Sequence, residues 1–120
     1  MDFKGVQGYC RTIAGTTEDL KWGCHPTFCV ADKIYAIVDL ENEAVNMTLK
    51  TSAELFEVFT QREGIIPAPY LARNKWINVQ LNAVDDSTLK ALIDDSYRHV
   101  VQKLSKKKRD SLSQPNPQAD

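Results

Sequence analysis

Residues 76–82 alternate strictly between apolar and polar side chains. Ile77, Val79 and Leu81 fall on one side, and a tryptophan and three amides fall on the other. Because successive side chains of a strand point to opposite faces, this pattern predicts a half-buried β-strand. One face of that strand packs on something apolar, and the other faces solvent or a partner.

Further strands are predicted before this segment. Residues 27–31, 34–40 and 45–50 are rich in apolar or alternating side chains and are joined by short polar turns, which indicates an antiparallel meander. Residues 20–24 read as a short edge strand, and residues 16–19 read as a connection. Residues 62–75 contain Gly64, Pro67 and Pro69, which break regular structure, so they are predicted to form a loop.

Three helices are predicted from apolar spacing and capping residues. Asp2 is placed to cap a first helix, and Ser52 to cap a short second helix that ends near residue 61. The third and longest helix runs from about residue 87 to 104, with Asp85 and Asp86 at its start. We expect a single domain over residues 1–112 and a disordered Ser/Pro/Asn/Gln tail over residues 113–120.

This order of elements predicts an α+β fold: an antiparallel β-sheet with N- and C-terminal helices packed on one face, plus a short helix before the last strand. The opposite sheet face is then open and is a plausible recognition surface. By strand parity it carries a mixture of aromatic, amide, hydroxyl and cationic side chains. They are Tyr35, Thr48, Lys50, Trp76, Asn78 and Gln80.

Composition narrows the class of protein. The chain has 15 basic and 16 acidic residues, so bulk attraction to nucleic acid is not expected, although a local basic patch remains compatible with this balance. No apolar run reaches the roughly 18 residues of a membrane span, and the N-terminus lacks a signal-peptide pattern. Three cysteines without framework spacing fit reduced thiols, and we expect a cytoplasmic protein.

Candidate catalytic and metal-binding residues are few. Cys24, His25 and Cys29 have the most metal-like spacing, but zinc normally takes four ligands in paired short spacings. Cys24 and His25 are adjacent on a strand and so point to opposite faces, which disfavours a nucleophile–base pair. Asp94 and Asp95 are predicted on the solvent side of the long helix. We therefore expect no catalytic residues, no metal and no cofactor.

Basic residues supply two candidate binding regions. The first is the run Lys106, Lys107, Lys108 and Arg109, which could neutralise phosphates or simply complement the negative end of a helix. The second is Trp76 with its neighbours Arg73 and Lys75, since an exposed tryptophan beside cations can stack on a base or anchor a protein. Trp76 packed under residues 67–70 is the structural alternative.

Four segments carry a resemblance to a known family, over a span from about residue 3 to 112. In their order and spacing they resemble the MmcQ/YjbR-like family of small bacterial proteins. The segments are Trp22 with Gly23; residues 49–55; residues 67–71 leading to 74–77; and residues 92–97 with the later Lys107, Lys108 and Arg109.

The resemblance implies a fold similar to CyaY, the bacterial frataxin, and a possible DNA-binding role through β-wings. It does not imply iron binding, because residues 2–14 carry only Asp2 where frataxins have an acidic ridge. The leading hypothesis is a non-enzymatic, monomeric binding protein that contacts DNA through Lys50, Arg73, Lys75, Trp76 and the run from Lys106 to Arg109. The alternative is a protein-interaction module that uses the open sheet face around Trp76.

Overall fold

The computed structural model describes residues 1–21, 25–41, 44–69 and 71–112. The end of the predicted edge strand (residues 22–24) and the predicted disordered tail (residues 113–120) lie outside the described residues. The strands are β1 (Thr16–Lys21), β2 (His25–Val30), β3 (Lys33–Asp39), β4 (Asn46–Lys50), β5 (Ile65–Pro67) and β6 (Trp76–Gln80). The helices are α1 (Phe3–Arg11), α2 (Ala53–Phe59), α3 (Asp86–Gln102) and α4 (Lys106–Ser111), with 3₁₀ turns at Ala72–Asn74 and Leu81–Ala83.

The six strands form one antiparallel sheet in the order β1-β2-β3-β4-β6-β5. The predicted α+β class, with N- and C-terminal helices on an antiparallel sheet, is confirmed. Apolar side chains of the central strands are fully buried beneath α1 and α3 in one hydrophobic core. They include Val38, Met47, Leu49, Ile77 and Val79.

Two predicted connections are in fact ordered elements. Residues 16–19 belong to β1, which pairs along its whole length with β2. Its polar and β-branched side chains show little apolar alternation, so the pattern did not reveal a strand. Within residues 62–75, Ile65–Pro67 pair with β6 as the outermost strand. Proline is compatible with an edge strand because its missing N–H removes no interior ladder bond.

The predicted helix caps are confirmed. The carboxylate of Asp2 accepts a 2.9 Å hydrogen bond from the Gly5 amide, and Asp85 accepts one of 2.8 Å from the Thr88 amide. Ser52 does the same for α2, at 3.2 Å from the Leu55 amide. Each cap satisfies one backbone donor that the first turn of a helix leaves without a partner.

The cap of α3 predicts a pH-dependent stability. Hydrogen bonds from Thr88 hold the pKa of Asp85 below its ordinary value. A carboxyl with a depressed folded-state pKa stabilises the fold above its unfolded pKa, and that stability is lost as the pH falls through the folded pKa. We expect Asp85→Ala to lower the melting temperature at neutral pH, and the gap from wild type to narrow in acid below the ordinary aspartate pKa.

Circular dichroism melts over this pH range measure the effect. Asp85→Asn is the control, because an amide oxygen still accepts from the Thr88 amide although the charge is gone. It should therefore retain more stability at neutral pH than Asp85→Ala. A gap between Asp85→Ala and wild type that stays constant from neutral to strongly acidic pH would contradict the role of the ionised cap.

The prediction that Tyr35 lies on the open sheet face was wrong. Phe28 pairs with Ala36, but the next residue of β2 pairs with Ile34, so Tyr35 is an extra residue in β3. This β-bulge shifts the alternation by one residue, and Tyr35 and Ala36 are both fully buried. The Tyr35 ring packs edge-on against Tyr97 of α3, with centroids 5.4 Å apart. Tyr35 is therefore a core residue and is absent from the open face.

The long helix α3 buries the predicted apolar stripe, including Leu89, Ile93 and Val100. Its two central carboxylates differ from the prediction, because they join elements instead of facing solvent. Asp94 accepts a 2.6 Å hydrogen bond from the Tyr9 hydroxyl of α1, and Asp95 lies 3.2 Å from the Thr51 hydroxyl. These contacts tie α3 to α1 and to the end of β4.

Candidate anion-binding site

A cavity of about 530 Å³ opens at the end of the sheet where β3 and β6 begin and β4 ends. The C-terminal part of α3 closes one side of it. Its lining combines three lysines and a tryptophan with a histidine, an asparagine and three aliphatic side chains. The lining residues are Lys33, Ile34, Lys50, Asn74, Trp76, His99, Val100, Lys103 and Leu104.

The register of β4 and β6 places Lys50 next to Trp76 in this cavity. Lys50 is the last residue of β4 and pairs directly with Trp76, the first residue of β6. The Lys50 amide donates a 2.9 Å hydrogen bond to the Ser96 hydroxyl of α3, which fixes the strand end against the helix. Lys103, seven residues or about two turns after Ser96, forms the C-cap of α3. The sheet and the helix thus bring cations from distant parts of the chain to one place.

The lysine charges that line the cavity are not balanced by carboxylates among the other described lining residues. None of the described residues that line it carries a carboxylate. The carboxylate of Asp95 lies 3.5 Å from His99, but it also contacts Arg98 and Thr51. The C-terminal end of a helix supplies only about half a negative charge, against three lysine charges here. The charged side chains among the described lining residues are therefore all cationic.

Lys50 shows the effect of this imbalance on a single group. Its ammonium donates a 2.6 Å hydrogen bond to the Asn74 carbonyl, and the side chain is partly buried. Burial lowers the pKa of Lys50, and the nearby charge of Lys103 lowers it further. An anion bound between these two lysines would oppose both effects, since it would favour the charged ammonium.

The predicted basic residues do not all reach this cavity. Lys50 and Trp76 line it, and Arg73 is exposed beside the lining residue Asn74. Lys75 is directed elsewhere, since its ammonium lies 4.9 Å from the ring centroid of Phe56 on α2. The predicted run is exposed on α4, which begins two residues after the lining residue Leu104. Its members are Lys106, Lys107, Lys108 and Arg109.

The open sheet face is less available for polar recognition than predicted. The Asn78 amide donates to Asn46 at 2.9 Å and to Thr48 at 3.3 Å, so these side chains satisfy one another. Gln80 is exposed at the edge of this row. Ile66 on β5 pairs with Asn78 and is 53% exposed, so it adds an apolar side chain to the same face.

Four polar lining residues were not predicted as site residues: Lys33, Asn74, His99 and Lys103. Helical spacing places His99 and Lys103 on one face of α3, because they are four residues apart. Lys33 and Asn74 carry no such sequence signal. Lys33 enters the cavity because β3 begins at this end of the sheet, and Asn74 because the 3₁₀ turn Ala72–Asn74 precedes the start of β6. In the sequence, Lys33 and Asn74 look like ordinary polar residues of the turn before β3 and the loop before β6.

A second concave region of about 720 Å³ borders β1 and is a weaker candidate. Its described lining residues are Arg11, Glu18, Asp19 and Leu20, so one cation stands against two carboxylates. The Arg11 guanidinium lies 2.9 Å from the Glu18 carboxylate. The described lining residues of this region include no aromatic ring and no cluster of cations, so they lack the two features that mark the first cavity.

The cysteines of the described residues have little thiolate character. Cys10 and Cys29 are buried. Burial raises the pKa of the Cys10 thiol to about 12 and also raises the pKa of Cys29. A nucleophilic or metal-binding cysteine requires the thiolate, which burial disfavours. No cluster of three or more metal-ligating His, Cys, Asp or Glu side chains occurs among the described residues.

Comparison with known proteins identifies the family. A family model described as YjbR matches residues 11–99. The YjbR protein of Escherichia coli strain K12 is 35% identical over 110 residues, which cover 88% of this chain and 92% of that protein. Among the described residues, no helix has the length and apolar character needed to cross a bilayer.

Solved structures show the same fold. A Deinococcus radiodurans protein with the DUF419 domain superposes with a TM-score of 0.84 at 24% identity, covering 94% of this chain and 88% of its own. A Pseudomonas syringae protein superposes with a TM-score of 0.71 at 23% identity, covering 82% and 98%. The sequence matches and the shared fold agree, and the chain belongs to the YjbR family.

Proposed function

We propose that this protein is a non-enzymatic nucleic-acid-binding module whose central contact is the cationic cavity around Trp76. The carrying observation is that Lys33, Lys50 and Lys103 converge beside a half-buried tryptophan, with no carboxylate among the described lining residues. Phosphates are the anions that such a cluster would neutralise along a nucleic-acid backbone. The ring of Trp76 would supply a surface on which a base can stack.

Single strands fit this arrangement better than duplexes. A single strand can turn an unstacked base toward an aromatic side chain, whereas bases within a duplex are already stacked on one another. The cavity is a local concave site and not a long flat groove. The exposed cations of α4 and Arg73 lie near its lining residues in the chain, and they would lengthen the path of contact to neighbouring phosphates.

A titration of the full chain against a labelled single strand and a labelled duplex tests this proposal. We expect binding at low salt that weakens steeply as the salt concentration rises, because cations displaced from the phosphates are released on binding. We also expect the single strand to bind more tightly than the duplex. An affinity no greater than that of an unrelated protein with the same net charge would contradict the proposal.

Trp76→Leu should weaken single-strand binding by about 5- to 150-fold, since stacking of one base on an aromatic side chain contributes about 1–3 kcal/mol. Duplex binding should change much less, because it depends mainly on phosphate contacts. Leucine retains apolar bulk at the start of β6, and a melting curve verifies that the variant folds. Fluorescence anisotropy measures both affinities. Equal losses for the two nucleic acids would argue against stacking.

A protein-interaction role remains a second candidate, and the exposure of Ile66 favours it. This side chain is 53% exposed beside Asn78 on the open face, and it is not among the described lining residues of the cavity. An exposed apolar side chain next to polar ones can anchor a protein partner, because interfaces have an apolar core with a polar rim. Ile66→Lys would weaken such an interaction and leave nucleic-acid binding unchanged or slightly stronger.

A further inference from the structure

We infer that the cavity holds one nucleotide unit, with the heterocyclic ring against Trp76 and the phosphate between Lys50 and Lys103. This inference rests on the proposed function and makes it more specific. It states that the site recognises a ring joined to a phosphate, and so binds a free nucleoside monophosphate in addition to a polymer. General attraction to a polyanion does not require this property.

The size of the cavity is the first support. Its volume of about 530 Å³ exceeds what a single inorganic anion needs. It falls within the roughly 300–1,000 Å³ of small-molecule sites. Such sites usually combine an apolar or aromatic wall with a few convergent polar groups. Trp76, Ile34 and Val100 provide that wall here, and the lysines provide the polar groups.

The arrangement of anchored and mobile cations is the second support. Lys50 is held by the Asn74 carbonyl at 2.6 Å, and its backbone is held by Ser96 at 2.9 Å. Lys103 is exposed at the end of α3, so its long side chain can move to a ligand. One fixed and one adaptable ammonium suit a phosphate group, which offers several acceptor oxygens around one centre.

The ring and the phosphate can be placed side by side because of strand register. Trp76 and Lys50 are direct cross-strand partners and line the same cavity. Side chains at directly paired positions have Cβ atoms about 4.5–5.5 Å apart. A base and its 5′-phosphate are joined through a single sugar, so a ring on Trp76 and a phosphate on Lys50 can belong to the same nucleotide. The pair therefore offers a stacking surface and a cation within one ligand's length.

Isothermal titration calorimetry of the full chain tests this inference with three probes: adenosine 5′-monophosphate, adenosine and inorganic phosphate. We expect the monophosphate to bind more tightly than either fragment, by about tenfold or more, since stacking and a charged hydrogen bond each contribute on that scale. Trp76→Leu should lower monophosphate affinity and leave phosphate affinity unchanged. Lys50→Met should lower both. Lys4→Gln is the control, because Lys4 is exposed on α1 at the opposite end of the sheet.

Competition with a labelled single strand separates this inference from the proposed function. Displacement of the strand by the monophosphate supports both. Strand binding that the monophosphate neither competes with nor reproduces overturns the nucleotide site and leaves the proposed function standing. Monophosphate binding without strand binding at low salt supports the nucleotide site and overturns the polymer role. Equal affinity for the monophosphate and inorganic phosphate overturns the nucleotide site.

Discussion

Ser96→Ala is expected to lower the free energy of unfolding by about 2–4 kcal/mol, a large loss for a single hydroxyl. Ser96 is fully buried at the centre of α3. Its hydroxyl donates to the Tyr35 carbonyl at 2.6 Å and accepts from the Lys50 amide at 2.9 Å. Alanine leaves both of these backbone groups without that partner. An unsatisfied buried donor or acceptor costs about 1–3 kcal/mol each.

The bulge explains why a helix supplies these bonds. The paired residues of β3 and β4 end at Ala36 and Leu49. Tyr35 and Lys50 would form the next pair in a regular ladder, but the extra residue in β3 interrupts it. The Ser96 hydroxyl bridges the two groups that the ladder leaves apart. The same side chain therefore holds the bulge in the core and the end of β4 at the cavity.

Urea denaturation measures the predicted loss. Ser87→Ala provides the matched control, because it makes the same chemical change in the first turn of α3, where the side chain is exposed. We expect the control to change stability by less than about 0.5 kcal/mol, as exposed substitutions usually do. If Ser96→Ala falls within the same limit, the hydroxyl does not carry the connection between helix and sheet.

The double variant Lys50→Met/Lys103→Gln is expected to weaken single-strand binding by about 100-fold or more at low salt. A hydrogen bond to a charged group contributes about 1.5–3 kcal/mol, and the variant removes two. The dependence of log affinity on log salt should also become shallower by about 1.4, since each phosphate contact on a single strand contributes about 0.7. A change in this slope identifies lost phosphate contacts specifically.

The same substitutions should not unfold the protein. Because the pKa of Lys50 is lower in the folded state than in the unfolded state, its charge costs stability below the folded pKa, and that cost disappears as the pH rises toward the unfolded value. Removal of the neighbouring charge of Lys103 relieves part of the repulsion. Lys103→Gln alone should therefore leave the melting temperature unchanged or slightly higher.

A second double variant controls for net charge. Lys4→Gln/Lys90→Gln also removes two positive charges, one from α1 and one from the first half of α3. Phe3, next to Lys4, borders Val45 and Leu81 at the far end of the sheet from the cavity. Anisotropy titrations at several salt concentrations compare the two double variants. Equal loss of affinity and equal slopes would show that only total charge matters.

Local sequence patterns predicted much of the fold, because strand alternation and helix capping depend on interactions between residues close together in the chain. Strict alternation identified β6, and the acceptors Asp2, Ser52 and Asp85 identified three helix starts. Tyr35 was misplaced because a bulge changes strand parity without leaving a signal in the side-chain pattern. Strand β1 was missed in part because an edge strand with polar side chains lacks the alternation that burial imposes.

Of the nine described lining residues of the candidate site, the sequence predicted two, Lys50 and Trp76. Lys50 and Trp76 stand out in the sequence because a cation and a tryptophan fall on the polar side of alternating strands. Lys33 and Lys103 are 70 residues apart in the chain, and only the packing of α3 across the sheet brings them to one cavity. The conspicuous run from Lys106 to Arg109 lies outside the lining, because Ser105 caps a separate short helix after α3.

The most direct test of the central claim is an NMR titration of the ¹⁵N-labelled protein with a short single strand. If the cationic cavity is the binding site, the largest amide shifts will cluster at Lys33, Lys50, Trp76 and Lys103, and the Trp76 indole N–H will shift with them. Added salt will reverse these shifts. Shifts confined to α4, or to the open face around Ile66, with the cavity unchanged, would contradict the account.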